Sequence, residues 1–260
     1  MSLDTLFDIK NIICLYLHDL KDTINLYNLN KDHQENIIIT NLYDISYKYK
    51  MQLSQQIIEQ NKYRYVEKLY AGDNEQIKSL NHIKNSLRVL NCSCKSKIDQ
   101  NNILQLNLIE LDATGNDKIK NVNHMKKTLK KLDCGYGSEI DQNGILELNL
   151  IELYASGNKK IQNVNHMKNT LKILLCSSSS GIDQNGISEL NLINLYAANN
   201  EKIKNVNHMK NTLKILNCAN FCGIDQKGIS ELNLIELYAN ANNKIINVDH
   251  MKNTLIYGYL

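Results

Sequence analysis

A repeat of 42 residues runs through most of the chain. The segment Ile-Asp-Gln-Asn-Gly-Ile, with small variations, begins at Ile98, Ile140, Ile182 and Ile224, and a phrase that reads Asn-Val-Asn-His-Met-Lys-Asn-Thr-Leu in its commonest form recurs at the same spacing. Each unit divides into two halves of 21 residues. A fixed period of this length predicts a solenoid in which each half-repeat is one coil that buries its apolar side chains against its neighbours.

The apolar residues of each half-repeat occupy fixed positions. The first position is apolar in all ten half-repeats, and in the first nine the fourth is leucine, the sixth is small and the twelfth is isoleucine. The first positions are Val66, Leu87, Leu108, Leu129, Leu150, Leu171, Leu192, Leu213, Leu234 and Leu255. Because side chains alternate along a strand, inward residues at the fourth and sixth positions require outward residues at the third and fifth. We therefore expect an α/β solenoid of about ten coils, with one parallel sheet and a return side of 3₁₀ turns or very short helices.

Every second half-repeat also carries an asparagine at its ninth position. These residues are Asn74, Asn116, Asn158, Asn200 and Asn242. Their amides can satisfy backbone groups in the turn that follows each strand. The other half-repeats place Lys95, Gly137, Ser179 and Phe221 there, so we expect an asparagine ladder in alternate coils only.

These residues resemble the leucine-rich-repeat family over residues 66–260. The half-repeat from Leu150 to Ile161 has the family's spacing, and the half from Leu213 to Leu232 is similar to the cysteine-containing subtype. Ile224, Gly228 and Ile229 keep the subtype's spacing after the cysteine, whereas Asp225 stands one place early. The resemblance implies a parallel sheet on the concave side of the solenoid and a role in protein–protein interaction.

Residues 1–45 do not repeat, and their apolar residues follow helical spacing. They resemble a degenerate F-box that lacks the usual proline and has one extra residue after Leu17. The resemblance implies a helical module that binds the adaptor subunit of an SCF-type ubiquitin ligase through Leu6, Ile13, Tyr16, Leu17, Ile24, Leu26 and Leu29. The alternative is an amphipathic cap that shields the first coil. Residues 46–65 are then expected to form a helical connection.

Histidine and cysteine recur in columns, which suggests a metal site that the spacing argues against. Successive members are two coils apart, about 9–10 Å at the usual strand separation. Zinc thiolates and disulfides both require closer approach. Cys92 with Cys94, and Cys218 with Cys222, are closer pairs but lack a second pair at matching spacing. With no phosphate-binding loop or catalytic motif in the sequence, we expect no metal, no cofactor and no enzymatic activity.

The outward positions of the sheet are rich in tyrosine and acidic residues, with two aliphatic residues among them. The predicted partner-binding residues are Tyr70, Glu110, Asp112, Glu152, Tyr154, Ile173, Leu175, Tyr196, Glu236 and Tyr238. Such a surface disfavours nucleic acid and favours a polar or basic protein segment. The alternative is a solvated face copied by duplication. Taken with the F-box resemblance, the sequence suggests a substrate adaptor of an SCF-type ligase, or else a stand-alone interaction scaffold.

Composition bears on the cellular setting. The formal net charge is only +3, and no apolar run is long enough to cross a bilayer. Asp4 and Asp8 stand where a secretory signal would carry basic residues, and seven cysteines then favour a reducing compartment. We expect an intracellular, cytoplasmic protein without a membrane partner. The frequent Asn, Ile and Lys are typical of AT-rich genomes such as those of giant viruses. For a viral protein, the expected compartment is the host cytoplasm.

Overall fold

The computed structural model describes residues 39–43 and 53–259. These residues belong to two compact units that divide between Lys118 and Ile119. The predicted F-box-like residues, Leu6 to Leu29, lie outside the described residues. The same holds for the whole of the predicted helical module up to residue 38.

The described part of the first unit contains four parallel strands and three short helices. The strands are β1 (Asn41–Tyr43), β2 (Lys68–Tyr70), β3 (Val89–Asn91) and β4 (Glu110–Asp112). The helices are α1 (Gln55–Ile58), the 3₁₀ helix η1 (Asn61–Tyr63) and α2 (Gln100–Ile103). Each strand pairs with the next, and from β2 onward the register advances by one half-repeat, as in the pairing of Leu69 with Leu90 and of Leu90 with Leu111.

The second unit repeats the same arrangement. Its strands are β5 (Lys131–Asp133), β6 (Glu152–Tyr154), β7 (Ile173–Leu175), β8 (Asn194–Tyr196), β9 (Ile215–Asn217), β10 (Glu236–Tyr238) and β11 (Tyr257–Tyr259). The return segments hold 3₁₀ helices, η2 (Asn123–Met125), η3 (Asn143–Ile145), η4 (Asn165–Met167), η5 (Asn185–Ile187), η6 (Asn207–Met209), η7 (Lys227–Ile229) and η8 (Asp249–Met251). Neighbouring strands are parallel and again offset by one half-repeat. The predicted leucine-rich-repeat solenoid, with 3₁₀ turns and very short helices on its return side, is confirmed.

The core consists of the residues that the repeat places inward. In the coil of β7, for example, Leu171, Leu174, Cys176 and Ile182 are completely buried. The methionine of each Asn-His-Met 3₁₀ helix, such as Met209, closes the core from the return side. Because the first nine half-repeats carry alanine or cysteine at the sixth position, the chain can turn inward directly after a short strand.

The buried asparagines bind neighbouring turns, as the sequence predicts. In Asn200 the side-chain amide donates to the carbonyl oxygens of Cys176 at 2.9 Å and Ile182 at 3.1 Å, and its Oδ1 accepts from the Lys202 amide at 3.0 Å. Alternate coils use a buried serine one position later, and its hydroxyl accepts a bond of 3.4 Å from the amide two residues on. These serines, which the sequence analysis did not identify, are Ser96, Ser138 and Ser180.

Strand β1 is the main departure from the sequence-based expectation. Asn41–Tyr43 lies in the range predicted to be helical, yet it is a strand whose Leu42 pairs with Leu69, an offset longer than one half-repeat. Ile39 and Leu42 are almost fully buried. The sheet therefore begins before residue 45, and helices α1 and η1 occupy part of the predicted helical connection. Because this offset differs from the repeat period, the strand could not be predicted from the periodicity.

Candidate protein-binding face

The third and fifth positions of each coil project from the sheet on the side opposite the core, and we call this side the outer face. In the second unit the fifth positions form one in-register column of Asp133, Tyr154, Leu175, Tyr196, Asn217, Tyr238 and Tyr259. The third positions form the adjacent column of Lys131, Glu152, Ile173, Asn194, Ile215, Glu236 and Tyr257. All of these residues keep solvent exposure. The predicted binding residues of this unit therefore lie together on one face.

Aliphatic and aromatic side chains adjoin at the middle of this face. Ile173 and Leu175 flank the buried Leu174 on β7, and Leu175 pairs with Tyr196 on β8. Both β7 residues are half-buried, and none of the described strands packs over them. Their apolar surface meets water on a part of the protein where a solvated sheet usually carries polar residues.

Two strands carry the same tyrosine–glutamate pair. The hydroxyl of Tyr154 donates to Glu152 at 2.9 Å, and the hydroxyl of Tyr238 donates to Glu236 at 2.8 Å. In Tyr154 partial burial, followed by the bond to Glu152, raises the pKa of the phenol. In Tyr238 the bond to Glu236 is the main cause of its raised pKa. Both phenols thus remain protonated and hold the neighbouring carboxylate in place.

A lysine of the same chain contacts both members of the first of these pairs. The ammonium of Lys131 lies 3.4 Å from Oε2 of Glu152 and 4.9 Å from the ring centroid of Tyr154. Partial burial alone would lower the pKa of Lys131, but Tyr154 and Glu152 outweigh it and raise the pKa. The pair therefore stabilises the charged form of this amine.

The outer face of the first unit is acidic at its third and fifth positions near β4. Glu110 is exposed, whereas Asp112 is half-buried and bonded. Oδ2 of Asp112 accepts from the Asn91 amide at 2.6 Å, and Oδ1 accepts from the Thr114 backbone at 3.0 Å. Tyr70 stands in register with Asn91 on the same face. Asp112 is thus also a turn-forming residue, a second role that the sequence analysis did not assign to it.

A column of alternating isoleucine and lysine borders the outer face in the second unit, and it was not predicted from the sequence. The exposed isoleucines at the second position are Ile151, Ile193, Ile235 and Ile256. Lysines, half-buried, occupy this position in the alternate coils as Lys130, Lys172 and Lys214. The backbone hydrogen bonds between neighbouring coils continue through this column, as in the bond from the Ile193 amide to the Lys172 carbonyl oxygen. Its signal in the sequence is the alternation of Ile and Lys directly after the first leucine.

The cysteines of the recurring columns lie in the core, and several of the recurring histidines contact the backbone of a neighbouring coil. Cys92, Cys134, Cys176 and Cys218 are buried, and burial raises the pKa of each thiol far above its usual value. His166, His208 and His250 each contact a backbone carbonyl oxygen of the preceding coil at 3.1 Å. Within residues 39–43 and 53–259, no cluster of three or more His, Cys, Asp or Glu residues is placed to hold a metal ion. None of the helices in that part of the chain is long and apolar enough to span a bilayer.

Comparison with known proteins finds a likeness at the level of structure. No family model matches the sequence, and the search of curated proteins found no match. Among solved structures, the chain is similar to the crystal structure of the Rad7 and Elc1 complex in yeast, with a TM-score of 0.45 and 15% sequence identity. The alignment covers 98% of this chain and 81% of the matched chain. The description of the repeat solenoid rests on this chain's own strand register and buried leucine columns and does not depend on this likeness.

Proposed function

We propose that the chain is a protein-interaction scaffold and that its outer face binds a protein target. The continuous column that includes Leu175, Tyr196 and Tyr238 supports this proposal, because it offers aliphatic and aromatic surface to solvent along successive strands. Tyrosine gives a large contact area at a small entropic cost, and exposed apolar patches mark interaction sites. The groups repeat at strand spacing and do not converge on one point, so we propose no catalytic step.

The charge of the outer face indicates the chemistry of the target. Glu110 in the first unit and Glu236 in the second keep solvent-accessible carboxylates, and phosphate groups would be repelled by them. A polar or basic protein segment fits this surface better than nucleic acid. The exposed isoleucines of the column beside the face provide additional apolar contact for such a segment.

The more specific proposal is that of a substrate adaptor in an SCF-type ubiquitin ligase. It is supported by the resemblance of residues 1–45 to an F-box and by the cysteine-type half-repeats that follow. In this proposal the N-terminal apolar residues, including Leu17 and Leu26, bind a groove on the adaptor subunit. The outer face of the repeats holds the protein that is to be modified.

Co-purification with the ligase adaptor subunit tests the specific proposal. We expect the full chain to retain the adaptor and the Leu17→Asp/Leu26→Asp variant to lose it. Leu146→Asp is the matched control, since Leu146 is exposed and lies outside the outer face. If the full chain does not bind the adaptor, or if the double variant binds as well as the full chain does, the ubiquitin link is wrong.

Affinity capture followed by binding of purified components tests the outer face. We expect a target held by the full chain and by Leu146→Asp to be lost from a Leu175→Asp/Tyr196→Ala variant. Retention of every captured protein by this variant, with circular dichroism showing that it is folded, would contradict the proposed face.

The second candidate is a stand-alone interaction scaffold without a ubiquitin link. It is favoured by apolar residues near the start of the first unit's sheet, of which Ile39, Leu42, Leu53, Ile58 and Tyr63 are almost fully buried. A chain that begins at residue 39 would retain all five of these residues. Under this alternative the truncated chain binds the target, and neither the truncated chain nor the full chain binds the ligase adaptor. Under the first proposal the full chain binds both the target and the adaptor, whereas the truncated chain binds the target alone.

A further inference from the structure

The tyrosine–glutamate pairs of β6 and β10 have the same geometry but different neighbours. In both, the tyrosine hydroxyl donates to Oε2 of the glutamate two residues earlier, at 2.9 Å in Tyr154 and 2.8 Å in Tyr238. At β6 the residue in register with Glu152 on the preceding strand is Lys131, whose ammonium contacts both members of the pair. The pair is thus shown to accept an ammonium group.

At β10 the corresponding residue on the preceding strand is isoleucine. Glu236 pairs in register with Ile215 on one side and with Tyr257 on the other. Among the ion pairs of the described residues, none involves Glu236. The second pair therefore has the same receptor groups as the first without an internal cation.

The aromatic surroundings of the β10 pair suit a cation better than those of β6. The ring of Tyr259 stacks on Tyr238 with centroids 5.8 Å apart and planes 16° from parallel. Tyr257 and Tyr259 are both exposed by more than half. Tyrosine rings attract ammonium groups through their faces, and a carboxylate fixed by a hydrogen bond adds charge complementarity.

We propose that Glu236, Tyr238 and the tyrosines of β11 form a binding site for a lysine side chain of a protein partner. This inference rests on the proposed interaction function and names the chemistry that one point of the outer face recognises. The site lies on the surface, so a single lysine binds weakly and contributes specificity to a larger contact. Tyr196 on β8 has Asn194 at the position of the glutamate, so that strand lacks the same receptor.

The test is a titration of the full chain with a lysine probe, followed by NMR amide signals. The probe is Nα-acetyl-lysine N-methylamide, and Nα-acetyl-norleucine N-methylamide is the control that lacks the ammonium group. We expect saturable shifts at residues 236–238 with the lysine probe alone, and affinity at least about five-fold lower in Glu236→Gln.

Two exchanges between the β6 and β10 surroundings provide matched variants. Ile215→Lys copies Lys131 beside Glu236 and is expected to fill the site, which lowers probe affinity as much as Glu236→Gln does. Lys131→Ile copies Ile215 beside Glu152 and is expected to create a weaker second site, with smaller new shifts at residues 152–154, because Ile173 and Leu175 stand where β11 carries tyrosines. Both substitutions use a residue that the same column already carries.

Three results would overturn the inference: equal shifts with both probes, unchanged affinity in Glu236→Gln, or unchanged affinity in Ile215→Lys. The titration needs no protein partner, so its failure is separate from that of the proposed function. If the probe binds as expected while outer-face variants retain every captured protein, the lysine site stands and the proposed target-binding face fails.

Discussion

Asn200 offers the sharpest test of what holds adjacent coils together. Its side chain is about 1% exposed and makes three hydrogen bonds, two of which reach carbonyl oxygens of the preceding coil at Cys176 and Ile182. Replacement by alanine removes all three bonds and leaves buried backbone groups without this partner. At about 1 kcal/mol for each bond, we expect Asn200→Ala to lower the free energy of unfolding by about 3 kcal/mol.

Urea denaturation followed by far-ultraviolet circular dichroism measures this loss. Asn211→Ala is the control, because Asn211 is exposed, and its substitution is expected to change stability by less than about 0.5 kcal/mol. The loss expected for Asn200→Ala would be a large fraction of the total stability of an ordinary domain. If the two variants unfold at the same urea concentration, the asparagine ladder does not stabilise the solenoid in the manner described.

Three further perturbations test the coil geometry and the histidines. A Cβ at Gly186 would lie 2.0 Å from the Gln162 carbonyl oxygen, so Gly186→Ala should cost about 2–3 kcal/mol in urea unfolding, and a neutral effect would contradict this close approach. Ala241 has φ of 57°, a left-handed conformation that favours glycine, so Ala241→Gly should raise stability by about 0.5 kcal/mol, and a lower urea midpoint would count against it. Partial burial, opposed by a backbone hydrogen bond, lowers the pKa of His166 and His208 below the usual 6.5. The unfolded chain therefore takes up protons first, so stability should fall as pH drops below about 6.5, and a His166→Gln/His208→Gln variant should show a flatter pH profile.

The coil, its register and its core could be predicted from the sequence because the same physical requirement returns in every half-repeat. Leu174, Cys176 and Ile182 recur at fixed positions, and each must be buried for a narrow coil to close. The period also places Ile173 and Leu175 on the outer face, where the structure has them.

Features that depend on neighbouring side chains could not be predicted in this way. The contact of Lys131 with Glu152 and Tyr154 requires knowledge of which strands are adjacent and where each side chain points. The local role of Asp133, at a fifth position of the outer face, could not be predicted either: its Oδ1 accepts a bond of 3.1 Å from the Gly135 amide, so part of its hydrogen-bonding capacity serves its own turn. Strand β1 was missed because its offset from β2 does not match the repeat period.

From β2 onward, the backbone advances by one strand for every half-repeat, and disulfide cross-linking can measure this register in solution. Ile173 and Asn194 are in register on β7 and β8, and adjacent strands lie about 4.8 Å apart, within the range that a disulfide spans. Ile215 is one strand further along the same column, about 9.6 Å from Ile173. Under mild oxidation, with bonds identified by mass spectrometry, Ile173→Cys/Asn194→Cys should form a disulfide and Ile173→Cys/Ile215→Cys should not. A bond in the second pair without one in the first would contradict the register of one strand per half-repeat.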